Sequence, residues 1–384
     1  MSCSSRGIYI HIPFCEKICS YCDYFVVKGK DGIDGYLDSL LKEINLTATL
    51  EEEVVTGSEI TSIYIGGGTP SLLSGDQMQK IIDLLRKSFQ ISDSAEITTE
   101  SNPNSLDKEK LKQYKDIGIN RISIGVQSFV KKELGLLTRN HSPKRAESAI
   151  TEALEAGIES VNLDIIFSNP WQTLESLTHT LEKGISLGTN HFSAYSLIYE
   201  PDTPLFKKWK SGIVTKHDDD TDASFYEAVQ DVLSMNSFTQ YEVSNFSKEG
   251  NECRHNLHAW HGGEYFAFGA SAHGYLNGRR FSKPRDIQKW QSYLSRDLLP
   301  IENTEVINLK ERKEEMIFLP IRADGFSIKD YIHAIGVEPP AALINKLDDF
   351  SDKGMIKNEN HRYKLTSKGY RVCDSITIDL INSL

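Results

Sequence analysis

The chain has 384 residues, with 43 Lys and Arg against 54 Asp and Glu, for a formal net charge of −11. No basic stripe runs along it of the kind that grips a phosphate backbone, which excludes nucleic acid as the expected partner. No apolar run approaches the ~18–20 residues of a membrane span, and six cysteines are too few for a disulfide framework. The N-terminus shows no cationic region followed by an apolar core, so no signal peptide and a cytoplasmic location are expected.

The first predicted strand, Ile8 to Ile12, stops at Pro13 and leads into Cys15, Cys19 and Cys22, a C-x3-C-x2-C loop. Thiolates are soft ligands, and three on one loop favour an iron–sulfur cluster or zinc. A cubane has four irons, so three cysteines leave one iron open to a small chelating molecule. Zinc normally takes four ligands, and no second Cys/His pair follows at a suitable interval. A zinc knuckle and three unrelated buried thiols remain the bland alternatives. Cys3, Cys253 and Cys373 are scattered.

From this loop to about residue 200, two periodicities alternate. Short β-branched runs are predicted as strands at Ile60–Ile65, Glu96–Glu100, Arg121–Gly125, Val161–Ile166 and Phe192–Ile198. Amphipathic helices fall between them. Met78, Ile81, Ile82, Leu85 and Phe89 recur at helical intervals, and Leu106, Leu111, Tyr114 and Ile117 do so ahead of Gly118. Ser142 and Pro143 open another helix that Gly157 closes. Repeated βα units imply an α/β fold with a parallel sheet and right-handed crossovers, here an incomplete six-unit barrel. Ligands then belong at the C-terminal strand ends. Those ends carry polar residues: Gly66-Gly67-Gly68-Thr69, Glu100-Ser101-Asn102, Gln127-Ser128, and Asp164 within its strand.

The segment Cys253-Arg-His-Asn-Leu-His-Ala-Trp260 follows, then Gly262-Gly263-Glu264-Tyr265 and Gly269 to Gly274. After about residue 300, helices are predicted at Asn308–Arg322 (interrupted by Pro320), from Ser327, and over Leu343–Phe350. A hairpin follows across Lys357–Arg362, and a last helix runs from near Gly369 to Leu384. This order is winged-helix-like, and mixed charge around Asp348, Asp349, Asp352, Lys353 and Lys357 marks it as a structural or docking unit. The predicted organisation is a core barrel over 1–205, a barrel-completing region over 206–300 and a C-terminal domain over 301–384.

Tyr9-Ile-His-Ile-Pro-Phe-Cys, Gly-Gly-Gly-Thr-Pro-Ser, Glu-Ser-Asn-Pro, Ser-Ile-Gly-Val-Gln-Ser-Phe, Asn-Leu-Asp and Tyr241-Glu-Val-Ser-Asn-Phe246, taken together and in order, resemble the oxygen-independent coproporphyrinogen III oxidase family of radical S-adenosylmethionine (SAM) proteins. The resemblance implies a partial (β/α)6 radical SAM barrel with a [4Fe–4S] cluster on Cys15, Cys19 and Cys22. It also implies a SAM site lined by Tyr9, Tyr21, Gly67, Gly68, Thr69, Glu100, Gln127, Arg139, Asp164 and Ile198. Within this family the chain resembles the HemW-type heme chaperones more than the oxidase. Tyr24 stands where the oxidase has a fourth cysteine, and only fourteen residues precede Cys15.

The segment from Cys253 to Trp260 is similar to the chaperones' His-Asn-x-x-Tyr-Trp pattern, with His255 as the implied axial ligand and heme as the implied cargo. Ala259 replaces the pattern's Tyr, and Phe167-Ser-Asn-Pro-Trp-Gln172 replaces Tyr-Gly-Leu-Pro-Gly-Gln. The bland alternative has His255 and Asn256 in loop hydrogen bonds and Trp260 in the core. The implied partners are heme, apo-hemoprotein recipients and a reductant such as flavodoxin or ferredoxin. Peripheral membrane contact is compatible with this, and monomer and dimer stay open. No catalytic residue is expected for a chaperone; the oxidase reaction is the alternative.

Overall fold

The computed structural model describes residues 4–384; Cys3 lies outside them. Twelve strands form one sheet: β1 (Ser4–Ile12), β2 (Ser58–Gly67), β3 (Gln90–Ser101), β4 (Arg121–Gln127), β5 (Ser160–Phe167), β6 (His191–Ser196), β7 (Thr239–Gln240), β8 (Asn245–Ser247), β9 (Tyr265–Phe268), β10 (His273–Leu276), β11 (Arg279–Ser282) and β12 (Asn303–Val306). Their spatial order is β12-β11-β10-β9-β1-β2-β3-β4-β5-β6-β8-β7. The stretch from β9 through β1 to β6 is parallel, and the pairs outside it are antiparallel. The six predicted core strands are therefore present, and the sheet forms a partial barrel.

The register explains why those strands read as they do. Ile8, Ile10, Ile63 and Ile65 face outward and are fully buried under the helices. Their alternates face the lumen, as the period of two requires, and are polar: Tyr9 pairs with Tyr64, Glu100 with Ser123, and Gly125 with Asp164. The lumen is thus lined by groups that can bond a ligand.

The outer layer is built from α1 (Ile33–Leu50), α2 (Gly75–Ser88), α3 (Lys108–Asp116), α4 (Pro143–Glu155), α5 (Leu174–Ser186) and α6 (Asp219–Met235). Ser74 and Gln77 close a capping box at α2, and Ser142 accepts from Arg145 N at the start of α4, where Pro143 follows. Met78, Ile81, Ile82 and Leu85 form the buried stripe of α2. The short helix α7 (Arg254–Trp260) and α8 (Ile287–Leu294) belong to the closing region. Helices α1, α5 and α6 and the strands after Tyr265 are additional to the elements predicted from sequence.

Beyond residue 308, α9 (Leu309–Ile321), α10 (Ile328–Ile335) and α11 (Ala341–Asp352) accompany a three-stranded sheet, Phe326–Ser327, Arg362–Leu365 and Ile356–Glu359 in spatial order, whose first strand lies between α9 and α10 in the chain. They share a core of Ile317, Phe326, Tyr331, Leu347 and Ile376. Pro320 lies in the last turn of α9 and does not split it. The final helix differs from expectation. Thr366 caps a single turn over Ser367–Tyr370, Val372 leaves helical geometry, and α12 spans Cys373–Ile381. The break lets the Tyr370 hydroxyl donate to Ala323 O while Arg371 reaches Glu227 and Gln230.

Candidate functional site

The cysteine loop is fastened before any ligand is considered. Phe14 and Cys15 pair with Val27 and Lys28, and Gly29 N donates to Cys15 O at 2.8 Å. Ser20 N donates to Thr138 Oγ1 at 2.9 Å and Ser20 Oγ to Leu136 O at 3.0 Å, which ties the middle of the loop to the segment after β4. That segment delivers Arg139, whose Nη1 lies 3.4 Å from Cys19 Sγ while Nη2 donates to Gly125 O at 2.6 Å. Its Nε is buried without a partner. Cys15 Sγ contacts Thr69 Oγ1 at 3.4 Å. Burial pushes the Cys15 thiol up and the Cys22 thiol up to about 11, so protons are displaced when a thiophilic metal binds.

The glycine run lies directly beneath this loop. A Cβ on Gly68 would stand 2.7 Å from Phe14 O and 3.0 Å from Cys15 Sγ. Gly67 has φ +113°, and a Cβ there would press on the His11 ring at 2.7 Å. Only glycine permits that approach. Gly67 N donates to Glu100 Oε2 at 2.9 Å and Gly68 N to Ile12 O at 2.9 Å. The loop's amides are therefore already engaged, and its carbonyls are what it can offer an ammonium.

Two of the expected strand-end residues, Glu100 and Asp164, are held by neighbours in the lumen. Tyr64 donates to Glu100 Oε1 at 2.9 Å. Burial, with Asp164 close by, pushes the Glu100 carboxyl up to about 7. Asp164 Oδ1 accepts from Ser123 Oγ at 2.9 Å and Asn162 Nδ2 at 2.8 Å, and burial raises its carboxyl despite those bonds. Gln127 follows a register shift between β4 and β5 and has φ +66°; such a bulge re-aims the side chain. Tyr9 bonds His11 Nδ1 at 3.0 Å. Tyr21 packs beside the cluster of Leu136, Leu137, Ile166 and Leu205, and Ile198 stands past the end of β6, 65% exposed.

The three thiols lie on one loop with a guanidinium beside them, bare glycine backbone beneath and two carboxyls in the lumen below. These residues fit a [4Fe–4S] cluster with a zwitterionic, hydroxyl-bearing ligand next to it. Among the described residues, no three His, Cys, Asp or Glu side chains converge on one point as they do around a single ion.

His255 sits elsewhere. It is buried in the lumen at the level of Gly7 and Ser62, with Nδ1 2.9 Å from Ser62 Oγ and its ring 5.3 Å from that of Tyr64. Burial lowers it to about 3. Nδ1 is thus engaged and Nε2 is the nitrogen left over. His258 Nε2 bonds Glu264 O at 2.8 Å, and His261 Nε2 pairs with Asp324 at 2.6 Å. The start of α7 is capped from β3: Glu96 accepts from Arg254 N and His255 N, both at 3.0 Å, and from Cys253 Sγ at 3.4 Å. Glu96 is absent from the residues expected from sequence; its only signal there is a charge inside a β-branched run.

The other face of α7 borders a groove of about 520 Å³. One sheet edge contributes Tyr195 and Glu242–Asn245, and the other contributes Tyr265, Tyr275 and Arg280. Asn256, Ala259 and Trp260 of α7, with Glu315 and Leu319 of α9, complete it. The groove is the open seam of the partial barrel. Sequence reading finds its Asn256, Ala259, Trp260, Gly262, Gly263 and Tyr265 and does not connect Tyr195, Tyr275, Arg280, Glu315 or Leu319 with them. Burial pushes the Glu242 carboxyl up to about 7, against hydrogen bonds from Asn245, Ser244 and Trp260.

Comparisons with known proteins agree with this geometry. The model of the radical SAM superfamily matches residues 9–183. "Heme chaperone HemW" of Bacillus subtilis is 36% identical over 370 residues, covering 95% of this chain and 96% of the relative. The protein of the same name from Mycobacterium tuberculosis is 33% identical over 380 residues, covering 98% and 94%. Among solved structures, the Escherichia coli coproporphyrinogen III oxidase HemN superposes with a TM-score of 0.84 at 20% identity, covering 100% of this chain and 91% of the other, a likeness of fold.

Proposed function

The chain belongs to the HemW-type family of radical SAM proteins, and from that premise we propose that it is a cytoplasmic heme chaperone, which binds heme and delivers it to apo-hemoproteins. Residues 1–205 serve as the cluster- and SAM-carrying barrel, 206–300 complete it with the heme segment, and 301–384 form a docking unit. Cys15, Cys19 and Cys22 hold a [4Fe–4S] cluster, which supplies an open iron for the amino and carboxylate groups of SAM and, when reduced by a flavodoxin- or ferredoxin-like donor, an electron. Arg139 takes the SAM carboxylate, for which its orphaned Nε is a spare donor. The Gly67–Gly68 carbonyls take the ammonium, and Asp164 and Glu100 take ribose hydroxyls. Tyr9, Thr69 and Gln127 line the same mouth, with Tyr21 and Ile198 at its rim.

The observation that carries the heme reading is the seam groove. The segment resembling the heme pattern lines it together with Tyr195, Tyr265 and Tyr275, a set of aromatic faces suited to a flat macrocycle. His255 is the axial ligand through Nε2, the ring nitrogen that Ser62 does not hold. Reaching a heme iron in the groove requires the ring to leave its place between Tyr64 and Tyr265. No helix among the described residues is long and apolar enough to cross a membrane.

The test is anaerobic incubation of the reconstituted protein with heme and, separately, with coproporphyrinogen III, SAM and a reductant. A heme complex with a Soret band that changes in His255→Ala, and no conversion to protoporphyrinogen IX, is expected. Turnover of coproporphyrinogen, or a heme spectrum indifferent to His255, His258 and His261 alike, overturns the reading.

A further inference from the structure

The rim of the seam groove holds an unusual charge arrangement. Arg280, on β11, pairs with Glu315 of α9 at 2.8 Å, and its guanidinium stands over the Tyr275 ring, 5.9 Å from the centroid. The Arg280 side chain is 45% exposed, while that of Glu315 is only 13% exposed. A second guanidinium, Arg312, flanks the same carboxylate at 3.8 Å. Its Nη1 is buried without a hydrogen bond, and so is Glu315 Oε2. Two arginines thus bracket one partly buried carboxylate. Glu305 faces Arg280 across the strand pair, but it is exposed and makes no ion pair with it among the described residues.

Removing one partner of an ion pair is costly when it leaves a charge withdrawn from water uncompensated. Here it does not: if Arg280 turns to another carboxylate, Arg312 still faces Glu315 with a free donor. The exchange therefore leaves Glu315 compensated. A guanidinium matches a carboxylate in bidentate geometry, and Arg280 is the cation on a groove otherwise walled by Trp260, Tyr195, Tyr265 and Tyr275. Glu242 comes from the opposite sheet edge and, when ionised, repels an acidic group from that side.

We propose that Arg280 is the residue by which the groove recognises a carboxylate on the rim of a flat aromatic ligand, with Glu315 as the internal carboxylate that the ligand displaces. This rests on the reading that a tetrapyrrole occupies the groove, and it names the part of that ligand being read: a propionate. It also links occupancy of the groove to α9, because the Arg280–Glu315 contact joins strand β11 to the C-terminal unit.

The test titrates the full-length protein with iron protoporphyrin IX and, separately, with its dimethyl ester, following the Soret band. The wild type should bind the free acid about 10- to 100-fold more tightly than the ester, the scale of one charge-assisted hydrogen bond at ~1.5–3 kcal/mol. Arg280→Gln should lower the free-acid affinity to the ester's level and leave the ester unchanged. Arg280→Lys should fall between, since it keeps the charge without the fork. Glu315→Gln should tighten the free acid and not the ester, and this arm decides the matter should Arg280→Gln not fold. Arg280→Gln binding both porphyrins as the wild type does, with Glu315→Gln equally without effect, overturns the proposal while the heme reading stands. Failure of the wild type to bind either porphyrin overturns the heme reading, and the proposal with it.

Discussion

The mouth of the barrel and its seam are built on opposite principles. At the mouth, successive strands of one sheet each add a side chain at a fixed register, and nearly every group is already held: Glu100 by Tyr64 and Gly67, Asp164 by Ser123 and Asn162, Arg139 by Gly125. Such a site is preorganised and tolerates little change. At the seam, two sheet edges and two helices from distant parts of the chain face one another across aromatic walls and one exchangeable ion pair. A site of that kind can adapt to a ligand and release it, as the proposed carrier role requires. Perturbations at the mouth should thus act as losses, and perturbations at the seam as graded shifts.

The largest loss is expected at the cysteine loop. Cys19→Ala should abolish the visible absorption of the anaerobically reconstituted protein and its iron and sulfide content, about four of each in the wild type. Cys253 and Cys373 are buried apart from the loop, Cys253 against Glu96 and Cys373 against Thr377, and their replacement should leave the cluster intact. Stoichiometric zinc in place of iron would remove the basis for everything said of the mouth. Next in size, Asp164→Ala and Arg139→Ala should each weaken SAM binding by ~1.5–3 kcal/mol, the worth of a hydrogen bond to a charged group, with the cluster retained. Unchanged affinity in both, measured by equilibrium titration, would reduce these residues to a structural role.

The same contrast explains what could be read from sequence. The mouth is legible because a period of two places every other strand residue in the lumen, so Glu100, Gln127 and Asp164 announce themselves as polar residues at strand ends. The glycine run is legible because close backbone approach leaves a composition signal. The seam is not. Tyr195, Glu242, Tyr275 and Arg280 lie on four segments whose meeting depends on how the sheet's two edges close, and no local pattern encodes that. Glu96 escapes for a related reason: its partners, Cys253 to His255, are more than 150 residues away. The C-terminal helix is read too long because Val372 sits within an otherwise helical run, and only contacts with Ala323 and Glu227 break it.

A smaller, graded effect is expected from Glu242 at the seam. Its carboxyl, about 7 in the folded protein, ordinarily titrates near 4.5, so the folded chain holds this proton more tightly than the unfolded chain. Its contribution to stability is then fullest below pH 4.5, declines as pH rises toward 7, and is flat above. Glu242→Gln should remove that decline, gaining roughly 1–3 kcal/mol over the wild type at pH 8 relative to pH 5, since a tenfold change in proton affinity is worth ~1.4 kcal/mol. Glu100 shifts in the same direction, so part of the decline persists in the variant. Melting temperatures at the two pH values check this; parallel curves would mean that Glu242 is solvated in the folded protein.

The smallest effect tests whether the seam's aromatic walls carry binding. Ala259 lines the groove next to Trp260 and faces the space bordered by Tyr265 and Tyr275. A tyrosine there restores the residue of the family pattern and adds one aromatic face, worth ~0.5–1.5 kcal/mol when it stacks. Three tyrosines already wall the groove, so the gain belongs at the lower end: Ala259→Tyr should tighten heme binding about two- to fivefold. SAM affinity should not move, because residue 259 lines the seam and the residues proposed for SAM line the mouth. Soret titration beside SAM titration separates the two. If Ala259→Tyr alters SAM binding and leaves heme binding unchanged, the seam is not an independent site, and the division between a rigid mouth and an adaptable groove fails.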